Sequence, residues 1–204
     1  AWKEQVQVGS LVTVPFGKGN AFVDRDAIDL ARTVTGRLFS AELYHYFIAQ
    51  EEWLEGQISA SAVRKAEAKA KAVLLAIRDI LALHDDYSMN VAMRRLEAIK
   101  PVNPAFEQAL KGNAENGYCR TYISELFDYY YIPQFLHYTK QINKSLSAKE
   151  KQRPFPSTQE MDMQYIIDAF YDKPLDEMRP LNPRPRTNAT YRSILERLAF
   201  VVEK

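Results

Sequence analysis

The chain has 204 residues, with 27 Lys or Arg against 26 Asp or Glu and a formal net charge of +1. This length is enough for a hydrophobic core without disulfides, so we expect a single domain. The basic residues are dispersed, so neither a nucleic-acid surface nor an anionic-membrane surface is predicted. The longest apolar run is far shorter than the roughly 18 to 20 residues needed to cross a bilayer, and no secretory leader pattern opens the chain.

The only cysteine is Cys119, so the chain cannot form an internal disulfide,. Its place in an aromatic segment favours a packed thiol over a nucleophile. The chain begins Ala1-Trp2-Lys3, which we interpret as the start of a mature or excised piece of a longer protein.

Residues 1 to 20 differ from the rest of the chain. Valines and a leucine alternate loosely with polar residues up to Val14, and a turn pattern follows from Pro15 to Asn20. The alternation predicts a short extended arm or interdomain linker over residues 1–20. We expect the helical domain to cover residues 21–204.

Two long helices are predicted next. The first is expected to run from a cap at Asp24 or Asp26 to Gly56, and the second to begin with a cap at Ser59 or Ser61. One apolar face of the first comprises Ile28, Ala31, Thr35, Leu38, Phe39, Leu43, Phe47 and Trp53. The stripe of the second comprises Val63, Ala66, Ala70, Val73, Leu74, Ile77 and Leu81.

A third, shorter helix is predicted from Met89 to Ile99. Residues 104–110 are expected to form one more turn, and residues 111–117 a connection, because two asparagines and two glycines interrupt the pattern there,.

The segment from Tyr118 to Leu146 is predicted to be the central helix. Apolar and aromatic residues recur there at steps of three and four, which is typical of a helix with a wide buried face,. Pro133 lacks an amide hydrogen and presses on the carbonyl of Tyr129, so we expect a kink. Apolar spacing resumes after the proline, which predicts that the helix continues.

The remainder is expected to contain two helices and two irregular segments. Residues 147–156 and the proline-rich residues 174–185 are predicted to be non-helical,. A helix capped by Ser157 or Thr158 would bury Met161, Tyr165, Ile166, Ala169 and Phe170. A last helix over residues 188–202 would bury Tyr191, Ile194, Leu195, Leu198 and Val201. The predicted fold class is therefore all-α, a bundle of about five to six helices with an extended N-terminal arm.

The search for catalytic or metal-binding motifs gives little. Glu42 and His45 have the spacing of a di-iron bundle ligand pair, but such sites need a second copy and two further glutamates, which the sequence lacks,. His84 and His137 have no glutamate three residues earlier, and Asp85 with Asp86 is typical of a helix-end turn. We therefore predict neither a metal site nor a cofactor, and we assign no catalytic residue.

Residues 21–171 resemble the C-terminal all-helical domain of the α-N-acetylglucosaminidase family, glycoside hydrolase family 89. Three blocks are similar to family elements in order and spacing: residues 21–22 with 26–32, residues 118–126 with 130–135, and residues 159–171. Two departures accompany the resemblance. The family's Pro-Arg-Trp element is replaced by Pro133, Gln134 and Phe135, and its Asn-Ser/Ala-Arg segment is missing before Tyr118.

The resemblance implies an accessory domain of a glycoside hydrolase that acts on terminal N-acetylglucosamine. In that family the two catalytic glutamates belong to a preceding (β/α)8 barrel. This chain would pack against such a barrel, and Tyr118, Arg120 and Tyr122 are the candidate sugar contacts. It would not be active on its own. The family is secreted, periplasmic or lysosomal, although the sequence itself does not determine the compartment.

Two alternatives stay open. The three candidate residues could instead be core residues whose polar groups are satisfied internally. The chain could also be a free-standing helical binding or scaffolding protein, with an aromatic face that docks a partner and with no catalytic role.

Overall fold

The computed structural model describes residues 9–99, 103, 105–117, 121–148, 162–198 and 201. Helices dominate, and no described residue lies in a strand, so the predicted all-α bundle is confirmed. No helix among these residues has the length and apolar character that a membrane crossing requires.

The two longest helices form a hairpin. Helix α1 spans Ala21–Leu54 and helix α2 spans Ala60–Leu81. Gly56 lies between them with φ 78°, a left-handed conformation that glycine adopts without steric cost,. Ser59 caps α2 by accepting a hydrogen bond from the amide of Ala62, so the first of the two predicted caps is confirmed.

The start of α1 differs from the prediction. Asn20 caps the helix by accepting hydrogen bonds from Phe22 N and Val23 N, and neither Asp24 nor Asp26 is the cap. The Asp24 carboxylate instead accepts a hydrogen bond of 2.7 Å from Gly17 N in the preceding turn. The helix can therefore begin one and a half turns earlier than the apolar periodicity predicts.

The N-terminal segment is also different. Residues 9–11 form a helical turn rather than extended chain. Leu11 and Phe16 are buried in the core, and the Phe16 ring stacks on Tyr191 with ring centroids 5.0 Å apart. The prediction of an extended arm is therefore wrong for residues 9–11, and its residues 1–8 lie outside the described part.

Two shorter helices follow α2. A 3-10 turn at Asp85–Tyr87 leads into helix α3, Met89–Glu97, and helix α4 is Ala105–Asn116. The prediction of a connection over residues 111–117 is wrong, because the helix continues through Asn116. Long-range contacts of Lys111 and Glu115, described below, stabilise this part of α4.

The central helix α5 consists of three successive segments. Ser124–Leu126 is α-helical, Phe127–Tyr131 is π-helical, and Ile132–Ala148 is α-helical. The amide of Ile132 donates to the carbonyl of Phe127, five residues back. Continuation of the helix beyond Pro133 is confirmed, and the kink stays a prediction. The helix begins at Ser124 rather than at Tyr118, which lies outside the described residues together with Cys119 and Arg120.

The last two helices are α6, Gln164–Asp172, and α7, Asn188–Glu196. Between them only Leu175–Glu177 forms a 3-10 turn, so the prediction of an irregular proline-rich segment is confirmed. The whole stripe predicted for α7 is buried. In α6, Ile166 and Phe170 are buried, whereas Tyr165 and Ala169 are exposed. Ser157, Thr158 and Met161 lie outside the described residues.

Three hydrophobic clusters fill the bundle. The largest joins α1, α2, the start of α5 and α7. A second lies where the ends of α1 and α5 meet the start of α2, around Tyr46 and Trp53. A third joins α3, α4, the π-helical segment and α6, around Leu126 and Phe170. Helix α5 contributes to all three, so its predicted central place is confirmed.

Candidate functional site

A groove between α1, α2 and α5 has a volume of about 740 Å³. Most of its lining is aliphatic or aromatic, which is typical of a small-molecule site. The lining residues are Arg32, Thr33, Gly36, Arg37, Phe39, Ser40, Leu43 and Phe47 of α1, Leu74 and Ile77 of α2, Phe127, Tyr131, Gln134, Phe135 and Tyr138 of α5, and Thr121 and Met163 beside them.

The two walls of the groove run parallel. At one end Arg32 Nη1 donates to Thr121 Oγ1 at 3.2 Å. At the other end the rings of Phe47 and Tyr138 are 5.9 Å apart. Since α1 and α5 run in the same direction, the arginines of α1 lie at the Thr121 end, whereas the α5 wall is mostly aromatic along its length.

The first end is cationic. The Arg32 guanidinium lies 3.6 Å from the ring centroid of Tyr122 and 3.1 Å from Asp29, so its charge is already partnered. Arg37, five residues further along α1, is exposed and forms no hydrogen bond or ion pair within the described part of the chain. Of the described residues that line the groove, Arg37 is thus the one whose positive charge is available to a ligand.

The second end is apolar and aromatic. Phe39 packs edge-on against Phe135 with ring centroids 6.4 Å apart. The Tyr46 ring lies at the same centroid distance from Phe135, tilted by 52°. The Tyr138 hydroxyl donates to Gln50 at 2.8 Å, and burial raises the pKa of Tyr138. Phe47 is 40% exposed, so it forms the rim of the groove rather than part of the predicted buried face.

Of the three predicted sugar contacts, Tyr122 is the one among the described residues. Its ring is half-buried, with the Arg32 guanidinium over it and the Tyr87 ring stacked at a centroid distance of 6.4 Å. Tyr122 thus supports the cationic end of the groove without lining it. Tyr118 and Arg120 lie outside the described residues, so their proposed role stays a prediction.

Asp79 is the centre of a buried ion cluster. Its carboxylate is 2% exposed and accepts from Arg78 at 2.6 Å and from Arg197 at 3.1 Å, with Arg184 Nε 3.2 Å away. Asn182 also donates to it at 3.2 Å. The cluster attaches the proline-rich segment and α7 to α2. Both carboxylate oxygens of Asp79 have partners in it, so the role of Asp79 is structural.

Asp128 lies beside this cluster. It accepts a hydrogen bond of 2.9 Å from Leu181 N, and its second oxygen lies 3.7 Å from Arg78 without a hydrogen bond. Burial raises the pKa of Asp128, although the amide of Leu181 and the charge of Arg78 oppose the rise.

Glu125 is buried against the start of α3. Its carboxylate accepts from Met89 N at 3.1 Å, from Asn90 N at 3.0 Å and from the Ser88 hydroxyl. Amides at a helix start lack partners within the helix, so a carboxylate there is stabilising. Glu125, which belongs to α5, thus caps the start of α3.

A second group of long-range contacts surrounds α4. Lys111 Nζ is fully buried and donates to the carbonyls of Tyr171 and Lys173, at 3.0 and 2.6 Å. Glu115 accepts from the hydroxyls of Tyr130 and Tyr171. Burial, together with the Glu115 contact, raises the pKa of both tyrosines to about 12, so both hydroxyls are protonated donors at neutral pH.

The histidines are dispersed. His45 Nδ1 lies 3.6 Å from Glu42, and His137 Nδ1 lies 2.9 Å from the Tyr165 hydroxyl. His84 Nδ1 accepts from Asp86 N at 3.2 Å. Across the described ranges, no three His, Cys, Asp or Glu side chains gather in a way that could hold a metal ion.

A second cavity of about 340 Å³ lies between the start of α1 and the turn after α2. Its charges are paired across the space: Arg186 with Asp85, and Arg95 with Asp86 at 3.1 Å. The contact with Arg186 lowers the pKa of Asp85. A ligand would have to displace these pairs, so the groove is the better candidate site.

Sequence reasoning missed Arg32, Gly36 and Arg37 as groove residues. The sequence contains a signal for them, because two arginines, a glycine and Ser40 interrupt an apolar helix within nine residues. The signal was not specific, since the same residues are common on a solvated helix face.

Comparisons of the chain with protein-family models, with curated proteins and with solved structures each found no match. The resemblance to glycoside hydrolase family 89 therefore stays a prediction.

Proposed function

We propose that this chain is the helical companion domain of a glycoside hydrolase resembling the α-N-acetylglucosaminidase family. In this proposal it packs against a catalytic (β/α)8 barrel that this chain does not contain. Its own role is to support the barrel and to form one side of the sugar pocket.

The observation that carries the proposal is the second apolar face of α1. One face of the helix is buried in the bundle, with Ile28, Ala31 and Leu38 at most 2% exposed. The outer face carries four exposed apolar side chains: Val23, Leu30, Tyr44 and Ile48, which are 38 to 63% exposed. A helix that is apolar on both sides is usually covered on both sides. A barrel packed on the outer face of α1 would supply that cover.

The use of the acidic groups also supports a companion role. The buried carboxylates of Asp79 and Glu125 are occupied by arginines and by a helix start. Asp128 holds the amide of Leu181. A retaining glycosidase needs two carboxyl groups about 5 Å apart that are open to a sugar. In the proposed enzyme those groups belong to the barrel.

The candidate sugar contacts Tyr118, Arg120 and Tyr122 belong to the same proposal. Tyr122 is held by Arg32 and Tyr87, so its ring has a fixed orientation. Because the guanidinium and the Tyr87 ring lie against this ring, a sugar would meet its hydroxyl edge rather than stack on its face. In this proposal the carbohydrate contacts these three residues at the edge of the interface with the barrel.

The first test is the open reading frame that encodes the chain. A barrel pattern of several hundred residues upstream supports the proposal, and a reading frame without one overturns it. The second test mixes the chain with that barrel in sedimentation velocity. We expect a complex that Leu30→Lys and Tyr44→Lys weaken, whereas Ser193→Lys, which adds the same charge on the exposed side of α7, leaves it unchanged.

An activity assay completes the test. The chain alone should not hydrolyse aryl N-acetyl-α-glucosaminides, and the complex with the barrel should. Turnover by the chain alone that any single acidic substitution abolishes would contradict the companion role.

The alternative is a free-standing helical binding protein without a catalytic partner. The groove between α1, α2 and α5 favours this alternative, because its volume of about 740 Å³ lies within the usual range of ligand sites,. The reading frame separates the two functions, since a free-standing protein has no barrel beside it.

A further inference from the structure

We propose that the groove between α1, α2 and α5 binds a small anionic amphiphile, with its carboxylate at Arg37 and its hydrocarbon chain toward Phe47. This inference does not depend on the companion role. Its test uses the chain without a barrel, so the two proposals can fail separately.

The shape of the groove is the first argument. The lining residues of α1 extend from Arg32 to Phe47, which at 1.5 Å per residue corresponds to roughly 22 Å of helix,. The volume of about 740 Å³ is large enough for a small ligand along this length,. An elongated molecule fits such a groove better than a compact sugar does.

The order of chemical groups is the second argument. Along α1 the lining changes from Arg32 and Arg37, through Ser40, to Leu43 and Phe47. The facing wall begins at Thr121 and is otherwise mostly aromatic, so the order of groups is set by α1. A ligand with a polar head and an apolar tail has the same order.

The sign of the head group follows from the charges. Arg32 is neutralised by Asp29 at 3.1 Å, whereas Arg37 forms no hydrogen bond or ion pair with another described residue. Among the described residues that line the groove, none is an aspartate or a glutamate. A carboxylate placed at Arg37 would gain a charge-assisted hydrogen bond without competing with a protein anion.

Gly36 is the third argument. It lies within α1, where a glycine costs about 1 kcal/mol relative to alanine,. No atom lies within 4 Å of the position that a Cβ would occupy, so crowding does not require the glycine. The missing side chain leaves the groove open at its head-group end, between Arg32 and Arg37.

The test is isothermal titration calorimetry with laurate, kept below its micelle-forming concentration. We expect one laurate per chain, and binding of dodecanol at least about tenfold weaker because it lacks the charge that pairs with Arg37. Dodecyltrimethylammonium, with the same tail and a positive head, should not bind. Equal binding of laurate and dodecanol would overturn the proposal, as would no heat from laurate.

Variants locate the site. Arg37→Gln should weaken laurate binding about tenfold, and Arg192→Gln, an exposed arginine of α7 outside the groove, should not change it,. Gly36→Leu should abolish binding while the melting temperature stays at or above that of the parent, because leucine favours helix and has space,. Laurate binding that survives Gly36→Leu would place the ligand elsewhere and refute the assignment.

Sedimentation equilibrium tests the other occupant, a second copy of this chain. A monomer with and without laurate is the expected result. A dimer that Gly36→Leu dissociates and laurate does not would assign the groove to a second copy and overturn the proposal.

Discussion

The buried Glu125 carboxylate offers the most direct test of how distant helices stabilise one another in this fold. Glu125 is 2% exposed and accepts two amides at the start of α3 together with the hydroxyl of Ser88. Glu125→Gln keeps the shape of the side chain but turns one acceptor oxygen into a donor that faces another donor. It also removes the negative charge from the helix start.

The expected loss of stability has two parts. A hydrogen bond to a charged group contributes about 1.5 to 3 kcal/mol, and a favourable charge at a helix start about 0.3 to 1 kcal/mol. The free energy of unfolding should therefore fall by about 2 to 4 kcal/mol. Urea denaturation followed by circular dichroism measures this change from the shift in midpoint.

A matched control is available on α7. Glu196 is exposed, so Glu196→Gln removes the same charge and should change stability by about 0.5 kcal/mol or less,. If Glu125→Gln behaved like this control, the carboxylate would not be the cap of α3, and the structural role assigned to it would be refuted.

Three further predictions concern caps, core and charge. Ser59→Ala should lower the unfolding free energy by about 1 kcal/mol through loss of the cap of α2; an equal loss for Ser61→Ala in the same urea series would contradict the assigned cap. Phe135→Ala should cost about 3 to 5 kcal/mol, because this ring is 9% exposed and packed between helices,; a midpoint near that of the parent would mean that the ring is not core. The contact with Arg186 lowers the pKa of Asp85 below its ordinary 3.8, so this carboxylate stabilises the fold above that pH and the contribution is lost as the pH falls further,. Asp85→Asn should thus lower the free energy of unfolding slightly at neutral pH and by less below pH 3.8. An equal loss of stability at the two pH values would exclude the ion pair as the cause of that loss.

Local patterns in the sequence predicted those elements that local interactions stabilise. The cap at Ser59, the stop at Gly56 and the buried stripe of α7 depend on residues within a few positions of one another. The periodicity of α2 is equally local, because its apolar residues recur at steps of three and four within one helix,. Such features are visible without knowledge of the partners.

The errors occur where distant contacts override local preference. Residues 111–116 contain Gly112 and two asparagines, which predict a connection. The segment is nevertheless helical, because Lys111 and Glu115 form hydrogen bonds with Tyr171 and Tyr130. The ion cluster at Asp79 could not be foreseen either, since the sequence does not show which of its arginines converge. The groove is a third case, because it requires α1 and α5 to run parallel.

The π-helical segment at Phe127–Tyr131 has a consequence for how this chain should be aligned with others. A π-helical turn holds one residue more than the α-helical turn it replaces, without rotating the helix on either side. Glu125 therefore still faces α3 and Phe135 still faces α1, although the segment between them is wider. A relative with a regular α-helix here would have one residue fewer, and an alignment should place that single gap within residues 127–131. An ungapped alignment anchored before this segment would shift Gln134, Phe135 and Tyr138 by one position against their true counterparts.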